Sequence, residues 1–563
     1  RKNQKTIRRG GAQSSPKGYH RRMSKNSISD PPMLNHTKQS GVRVLSSSRA
    51  TALLILSLAV SRLTGFIREV MIAPTFGYGI NTDAYYIGFQ LPDLFYQLLV
   101  GGTFAAAVTP AVSAAVTRGH ERKLWRSLST FINVFLLAFV FAIAVGEIFA
   151  GSIISAYNPN KDPEVIRRAV MVARALFPQT VFLFLAGMCI GILTGHKLHQ
   201  RTAFTTSLYN LICIFFMMRW GGTAADAPAR VAFGVVIAAA VNFVYLLIMS
   251  RKVMHYEPLL DTRDRGFKRL IRLAVPTLIS GSIVQLNAII QTGFAHQFTG
   301  AVTSLRHAQT TWRLPQGIFA VAVASVMSPN LTSAFARRDY REMRQTYTFS
   351  LRRALYYVTP FVILFGVLAE ETVEAIFQWG GAIPAEKLLI EAMLLRLYVP
   401  AILIITYYEI VNLAFYARHV TRLSLVTSVV SLALNPLLSY LFTNVFGFGI
   451  YGLPVAFVLN SLLTVVMLAV LYRIHLRDAR PFRMFPFYCR LLACAIPSAI
   501  VALAINTIPL NTTNKLFQLA LYSVKALIVF LTYYWTGIAI RFREALHLQG
   551  MIRRFLKMAP VKD

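Results

Sequence analysis

Acidic residues are scarce in this chain of 563 residues: 23 Asp and Glu stand against 58 Lys and Arg, and only 14% of the residues are charged. The signatures of soluble enzymes are missing, since there is no Walker loop, no HExxH, no GxSxG and no spaced Cys/His ligand set. The sequence therefore predicts no enzyme, no metal site and no cofactor. Any transport would be driven by a coupling cation, by the membrane potential or by the substrate's own gradient.

Cysteine is also rare, and all four cysteines fall in apolar segments: Cys189, Cys213, Cys489 and Cys494. They lack metal-ligand spacing, so we expect small buried apolar side chains.

Apolar residues make up 55% of the chain, and the mean hydropathy is +0.52. Such a composition excludes an ordinary soluble domain and predicts a membrane protein. The net charge of +35 is divided among short segments between apolar runs. Because the positive-inside rule produces this distribution, we expect no nucleic-acid partner.

Fourteen apolar segments are long enough to cross a bilayer, which takes about 20 residues each. They lie at 50–72, 84–115, 127–157, 168–195, 202–220, 229–249, 268–296, 302–334, 350–376, 388–417, 421–443, 450–473, 486–507 and 516–541. Long continuous runs without alternation indicate helices and not barrel strands. The prediction is an all-α polytopic membrane protein with about 14 transmembrane helices.

Basic residues in the connections predict the orientation. Alternate connections, counted from the N-terminal tail, hold 44 Lys and Arg, the other side holds 7, and 7 lie inside segments. We therefore expect both termini in the cytoplasm.

The first and seventh segments are each followed by a long segment interrupted by Gly or Pro, which indicates an internal repeat. We expect two six-helix bundles around a central cavity, plus two C-terminal helices. The predicted divisions are a disordered basic tail at 1–49, bundles at 50–250 and 273–473, a basic linker at 251–272, two added helices at 474–541 and a basic tail at 542–563.

Charged residues inside the first two segments are the most unusual feature. Arg62, Arg68, Glu69, Asp83 and Asp93 lie there beside six glycines, in residues 61–110. A charge at bilayer depth costs roughly 2.5 to 3.5 kcal/mol on insertion scales, so such residues normally face a watery cavity or a partner. We therefore expect this stretch to line a substrate path.

Arginine suits a phosphate or diphosphate, because its planar fork binds such oxygens bidentately and keeps its charge. Arg62 and Arg68 are therefore candidate ligands of such an anion. For Arg68, the alternative role is a structural ion pair with Glu69 near the membrane interface. Asp83 either caps the second helix or functions at the cavity, where it would act in gating or in orienting the cation cluster. Pro92 and the glycines at 101–102 should bend that helix.

The eighth segment places four polar residues on one helical face. Arg306, Gln309, Thr310 and Arg313 follow the spacing i, i+3, i+4 and i+7. The face suits an anionic headgroup, although Arg306 is shallow enough to reach the interface. The weaker candidates are Glu69, Gln97, Gln285, Asn287, Gln291, Arg174, Arg396, Glu409 and Lys525, and for Arg174, Arg396, Glu409 and Lys525 we favour pairing over function.

Several motifs resemble one known family. SRLTGFIRE, FGYGINTDAYYIGFQLPDLFYQLLVGGTFAAAVTP, HQRTAFTTSLYN, LPQGIFAVAVASVMSP and NLAFYARHVTRLSLVTSVVSLALN are similar to motifs of the MurJ (MviN) lipid II flippases, in the multidrug/oligosaccharidyl-lipid/polysaccharide exporter superfamily. The resemblance covers about Arg49 to Arg480. It implies alternating-access transport of an undecaprenyl-diphosphate-linked peptidoglycan precursor from the inner to the outer leaflet of the bacterial cytoplasmic membrane, in cell-wall biogenesis and cell shape.

Arg62, Arg68 and Asp83 match charged positions of that family. Tyr96-Gln97 stands where the family usually has two arginines, and Ala308-Gln309-Thr310-Thr311 where it has Ala-Asp-Arg-Leu. Gln291 replaces a common acid. Arg306 and Arg313 would restore a cation to the face of Thr310.

The predicted substrate set is therefore Arg62, Arg68, Asp83, Arg306, Thr310 and Arg313. Three alternatives stay open: a flippase for another lipid-linked saccharide, a cation-coupled drug exporter of the same fold, and a non-transporting scaffold. The expected partners are the lipid-linked saccharide, membrane lipids and cell-wall synthesis proteins.

Overall fold

A computed structural model describes residues 47–100, 107–158, 161–274, 290–291, 293–295, 297–298, 301–379, 383–418, 420–475, 484–508 and 514–555. The helices are α1 Ser47–Val70, α2 Ile72–Phe76, α3 Ile80–Val100, α4 Thr109–Arg118, α5 Glu121–Tyr157, α6 Pro163–Gly195, α7 Thr205–Trp220, α8 Ala227–Ser250, α9 Ala301–Pro315, α10 Val321–Ala336, α11 Tyr340–Val367, α12 Ala369–Phe377, α13 Ala385–Ala417, α14 Thr421–Tyr440, α15 Gly452–His475, α16 Phe485–Asn506, α17 Lys515–Ala539 and α18 Arg543–Phe555. Short helical turns occupy His199–Arg201, Gln316–Ala320, Leu441–Val445 and Gly449–Tyr451.

The described residues form helices and connections without strands, which confirms the all-α prediction. Helices lie at thirteen of the fourteen predicted segments. The seventh, 268–296, is mostly outside the described residues, so the count of fourteen stays a prediction. Residues 1–46 of the predicted tail are also outside them, while α18 occupies part of the predicted C-terminal tail.

Eight helices in the described part of the chain are long and apolar enough to cross a membrane. They are α5, α6, α8, α13, α14 with its following turn, α15, α16 and α17. Large apolar side chains cover their outer surfaces, including Phe141 at 72% exposure. Such contiguous exposed apolar surface is stable only against lipid, so the chain is a multi-pass membrane protein.

Several helix starts have ordinary caps. Asp162 accepts a hydrogen bond from the backbone N–H of Glu164 at the start of α6, and Asp339 accepts one from Glu342 at the start of α11. Asn514 does the same for α17. These bonds satisfy donors that a helix leaves free in its first turn.

The helices pack mainly within two sets. We call α1 to α8 the first helix group and α9 to α15 the second helix group. α6 packs on α3, α5 and α8, whereas α13 packs on α9, α11 and α15. Contacts between the groups come from α1 and α3 against α9, and from α1 against the turn Gln316–Ala320. The bundle boundaries at 250 and 273 stay a prediction.

The basic connection between the groups is tied to α5. Ser127 Oγ donates a hydrogen bond to Asp264, and Asn133 Nδ2 donates one to the carbonyl of Leu259. Burial alone would raise the pKa of Asp264, but bonds from Ser127 and from the N–H of Phe267 lower it below its ordinary value. Asp264 therefore stays ionised at neutral pH and fastens the connection.

The two added helices pack on the second helix group. α16 contacts α11, and α17 contacts α12. Lys525 of α17 forms a buried ion pair with Glu371 of α12 at 2.5 Å. Pairing, not cavity function, is thus the observed role of Lys525. Cys189, Cys213 and Cys494 are buried as predicted, but Cys489 on α16 is exposed, because it lies on the outward side of that helix.

Close helix packing gives a stability prediction. A Cβ added to Gly88 on α3 would lie 2.5 Å from the carbonyl oxygen of Ala169 and 2.7 Å from Val172. Gly88→Ala should destabilise the protein by about 1–3 kcal/mol through overpacking. We expect a lower thermal unfolding temperature of the purified protein in detergent.

Gly151→Ala on α5 is the matched control, since an added Cβ there meets no atom within 4 Å. Both substitutions gain the same helix propensity. Equal unfolding temperatures for the two variants would show that α3 and α6 do not pack this closely.

Candidate functional site

A cavity of about 590 Å³ lies between α1, α7 and α9. Its lining residues are Ser61, Arg62, Gly65, Phe66, Arg68, Glu69, Thr206, Tyr209, Asn210, Arg306, Gln309, Thr310, Arg313, Leu314 and Gly317. The four arginines that the sequence singled out thus surround one space, although they come from two different helix groups.

The lining of this cavity is strongly cationic. It holds four arginines and one acid, Glu69, so its formal charge is 4 − 1 = +3. Like charges held together at membrane depth are costly without a counter-charge. The space is therefore suited to an anion with several oxygens.

Aromatic rings lie close to the guanidinium groups of three of the four arginines. The guanidinium of Arg68 lies 6.0 Å from the Tyr209 ring centroid, that of Arg306 lies 5.7 Å from Tyr86, and that of Arg313 lies 5.4 Å from Trp312. A ring face attracts a cation and restricts its motion. These contacts hold the guanidinium groups in place without neutralising them.

A smaller cavity of about 110 Å³ shares Arg68, Glu69, Arg306, Gln309 and Arg313 with the larger one. It is completed by Ile72, Tyr85, Tyr86, Phe89, Gln90, Asp93, Gln291, Ala295, Val302 and Leu305. The shared side chains make the two cavities neighbouring parts of one cationic region between the helix groups.

Glu69 links the two helix groups within this region. Arg306 Nε donates a hydrogen bond to Glu69 Oε1 at 2.7 Å, and Arg68 lies 3.9 Å from the other carboxylate oxygen. The predicted Arg68–Glu69 pair is therefore present but is the longer of the two. Arg306 points into the cavity and not to the membrane interface.

The polar face of α9 is oriented as predicted, since Arg306, Gln309, Thr310 and Arg313 all line the larger cavity. Gln309 Nε2 donates to Gln291 Oε1 at 3.2 Å and to the hydroxyl of Tyr398 at 3.3 Å. Gln291 thus lines the smaller cavity and also forms hydrogen bonds to side chains of other helices.

The helix after Pro315 widens into a π-helical turn, Gln316–Ala320, which the sequence analysis did not predict. Gly317 lies in this turn, and a Cβ added there would be 3.8 Å from the Arg62 guanidinium. Single π turns are frequent at functional sites. The Leu-Pro-Gln-Gly run was the signal that could have revealed it.

Of the roles predicted for Asp83, the helix cap is wrong, whereas a role in gating stays a prediction. α3 begins at Ile80, so Asp83 already lies inside the helix and is not its cap, and it is absent from the lining of both cavities. Instead it pairs with Lys161 at 3.1 Å and accepts a hydrogen bond from Thr303 of α9 at 2.7 Å. It therefore joins the first helix group to the second.

A second hydrogen bond between the helix groups lies beside the one from Thr303 to Asp83. The hydroxyls of Tyr78, before α3, and Ser304 of α9 are 2.6 Å apart. We call Asp83, Lys161, Tyr78, Thr303 and Ser304 the inter-group latch. Tyr78 and Asp83 lie just before and at the start of α3, Thr303 and Ser304 lie at the start of α9, and Lys161 lies just before α6.

The remaining candidates do not meet in the cavity. Arg174 lies 3.9 Å from Glu147 and Arg396 lies 3.1 Å from Glu370, as pairing predicts. Glu409 is half-buried on α13 and lines neither cavity. Gln285, Asn287 and the side chain of Gln97 are outside the described residues.

The sequence analysis also missed the buried pair of His307 and Glu391, since a single His in an apolar segment gives no signal of its partner. In the described part of the chain, no three His, Cys, Asp or Glu residues are grouped as a metal site would require.

Comparison with known proteins agrees with this architecture. The family model described as "Lipid II flippase MurJ" matches residues 72–523. A probable lipid II flippase MurJ of Rhizobium meliloti is 28% identical over 388 residues, covering 67% of this chain and 71% of that protein. The lipid II flippase MurJ of Burkholderia cenocepacia is 26% identical over 419 residues, covering 72% and 80%.

Solved structures support the fold. A lipid II flippase MurJ in an inward closed conformation matches with a TM-score of 0.70 at 20% identity, covering 87% of this chain and 99% of that one. An inward-facing multidrug resistance MATE family transporter matches with a TM-score of 0.62 at 13% identity, covering 76% and 98%. Flippases are transporters and not enzymes, which confirms the non-enzyme prediction. The family model spans most of the chain, and the chain belongs to the lipid II flippase MurJ family.

Proposed function

We propose that the chain moves a polyprenyl-diphosphate-linked peptidoglycan precursor, lipid II, across the membrane. The observation that carries the proposal is the meeting of Arg62, Arg68, Arg306 and Arg313 on one cavity between the two helix groups. Family membership supports the same substrate.

The charge of the cavity explains how a headgroup could cross. Moving a charged diphosphate through hydrocarbon is prohibitively costly, because nothing there replaces its water. Among the described residues, no carboxylate lies as close to Arg62, Arg68 or Arg313 as Glu69 lies to Arg306. They would hold the diphosphate oxygens, Thr310 would add a hydroxyl, and the isoprenoid tail would stay in lipid.

The proposed location is the bacterial cytoplasmic membrane with both termini in the cytoplasm. With that orientation, α1 runs outward and the inter-group latch lies on the outer side of the cavity. The larger cavity contains Ser61 and Arg62, earlier on α1 than Glu69, and so would be reached from the inner side. The bonds of Asp83 and Tyr78 then close the outer exit.

Alternating access follows from that arrangement. Opening outward requires the latch bonds and the Glu69–Arg306 pair to break, and opening inward leaves them intact. A diphosphate entering the cavity competes with Glu69 for Arg306. Substrate binding would thus weaken a contact that keeps the outer side closed, which links loading to opening.

A cation-coupled drug exporter of the same fold is the second candidate, since MATE transporters share the architecture. Such an exporter carries mostly cationic substrates and would need acids in the cavity. The excess of arginine over acid argues against it. A flippase for another lipid-linked saccharide has the same diphosphate chemistry and differs only in the sugar.

Removing the cavity arginines tests the binding role. Arg62→Ala, Arg68→Ala or Arg313→Ala should each reduce transport of a fluorescent lipid-linked saccharide in proteoliposomes by roughly 10- to 100-fold, the value of one charge-assisted hydrogen bond. Arg174→Ala is the control, because Arg174 lies on an exposed surface beside Glu147. Equal transport by the cavity variants and the control variant would refute the headgroup site. A non-transporting scaffold protein would give that result, because none of its arginines would affect transport.

Asp83→Asn tests the latch. Losing the ion pair with Lys161 and a charged hydrogen bond should cost about 1.5–3 kcal/mol, and amide exchange at the start of α3 and α9 should accelerate by about tenfold or more. Hydrogen–deuterium exchange of the purified protein measures this. Asp226→Asn is the control, since Asp226 pairs with Arg230 on the surface. Unchanged exchange in Asp83→Asn would mean that Asp83 does not hold the groups together.

A further inference from the structure

The smaller cavity, of about 110 Å³, differs in chemistry from the larger one although the two are neighbours. It is lined mainly by α3 and α9, and it shares Arg68, Arg306 and Arg313 with the larger cavity. Its lining also holds two acids, Glu69 and Asp93, so its formal charge is 3 − 2 = +1. The smaller cavity is therefore less suited to an anion than the larger cavity is.

Two polar atoms of α3 are buried at this cavity without a partner. Tyr86 is 6% exposed, and among the described residues its hydroxyl has no hydrogen-bond partner. The same is true of Gln90 Oε1. The two residues are four positions apart, so they lie on one face of α3, and both line the cavity. Because native proteins normally satisfy buried polar atoms, this pair of unpartnered atoms indicates a ligand group.

The polar side chains on the opposite wall bond to one another. Gln309 Nε2 donates to Gln291 Oε1 at 3.2 Å and to the hydroxyl of Tyr398 at 3.3 Å. Gln291 Nε2 donates to the same hydroxyl at 3.4 Å. In the described part of the lining, the buried neutral atoms that remain without a partner are therefore those of Tyr86 and Gln90.

The size and the apolar lining of the cavity restrict the ligand group further. Ile72, Phe89, Val302 and Leu305 complete the lining and favour contact with a methyl group. A cavity of about 150 Å³ is needed to hold a benzene ring, so the group that fits here is smaller than a six-membered ring. An acetamido group is small and neutral, and it combines an N–H donor, a carbonyl acceptor and a methyl group.

Arg306 connects this cavity to the proposed diphosphate site. It lines both cavities, and its guanidinium lies 5.7 Å from the centroid of the Tyr86 ring. A ligand group that reaches Tyr86 while arginines hold the diphosphate must be attached close to that diphosphate. The sugar that is joined directly to the diphosphate meets this condition, whereas a second sugar lies farther away.

We propose that the smaller cavity recognises the acetamido group of the sugar that is joined directly to the diphosphate. The Tyr86 hydroxyl donates to the acetamido carbonyl, Gln90 Oε1 accepts from the acetamido N–H, and the methyl group packs among the apolar side chains. The inference rests on the proposed function, because the arginines must hold the diphosphate for the sugar to be in reach. The cavity thus selects an N-acetylated amino sugar over a hexose among lipids that share the diphosphate.

The test compares two lipids that differ only at C2 of the sugar, polyprenyl-diphosphate N-acetylglucosamine and polyprenyl-diphosphate glucose. Both are present together, in equal amounts, in proteoliposomes that contain the full chain. Periodate on one side of the membrane oxidises the sugars that have arrived there, and mass spectrometry gives the ratio of the two transport rates. Because a site built for hydrogen bonds rejects an analogue that lacks them, the parent should transport the acetamido lipid faster by about tenfold or more.

Tyr86→Phe and Gln90→Leu should each lower this ratio by about two- to tenfold, the value of one neutral hydrogen bond, and should leave transport of the glucose lipid nearly unchanged. Tyr356→Phe and Gln179→Leu are the matched controls. They also remove a buried hydroxyl and a buried amide oxygen that have no partner among the described residues, but they line neither cavity. Their ratios should equal that of the parent. A ratio within one sample does not depend on how much of a variant folds.

Equal transport of the two lipids by the parent would overturn the acetamido site and leave the diphosphate proposal intact. A preference that persists in both Tyr86→Phe and Gln90→Leu would also overturn it, because the sugar would then be recognised elsewhere. Transport of neither lipid would refute the proposed function, and the acetamido site with it.

Discussion

The pair between Glu69 and Arg306 is the contact on which the rest of the arrangement depends. It joins α1 to α9 at 2.7 Å, in a region where a charge normally faces a partner or a watery cavity. One carboxylate serves two guanidinium groups there, so the region remains cationic after pairing. The same contact therefore holds the helix groups together and leaves arginines available for an anionic ligand.

The latch and the larger cavity share the helix α9. Asp83 and Tyr78 hold the start of α9, while Arg306, Thr310 and Arg313 further along α9 face the cavity. A helix that carries both sets of contacts transmits a change at one to the other. The π turn Gln316–Ala320 after Pro315 marks a place where α9 and α10 can bend, since the regular hydrogen-bond ladder is interrupted there.

Apolar runs predicted the helices well, because the lipid environment requires continuous apolar helices. Helical spacing likewise predicted the face from Arg306 to Arg313. The contacts of Asp83 were not predicted, since its partners Lys161 and Thr303 are distant in sequence and no local pattern reveals such contacts. The pair of His307 and Glu391 and the π turn were not predicted for the same reason, because both are formed by tertiary packing. For Arg174, Arg396 and Lys525 the sequence analysis favoured pairing, and the structure shows a carboxylate partner for each of them.

The central claim is that one cationic cavity between the helix groups binds a diphosphate. A cryo-electron microscopy structure of the chain in nanodiscs with an undecaprenyl-diphosphate-linked saccharide tests it most directly. The account predicts diphosphate density between α1 and α9, within hydrogen-bond distance of Arg62, Arg68 or Arg313. Density for the headgroup outside this cavity, with the arginines still bound only to protein groups, would contradict it.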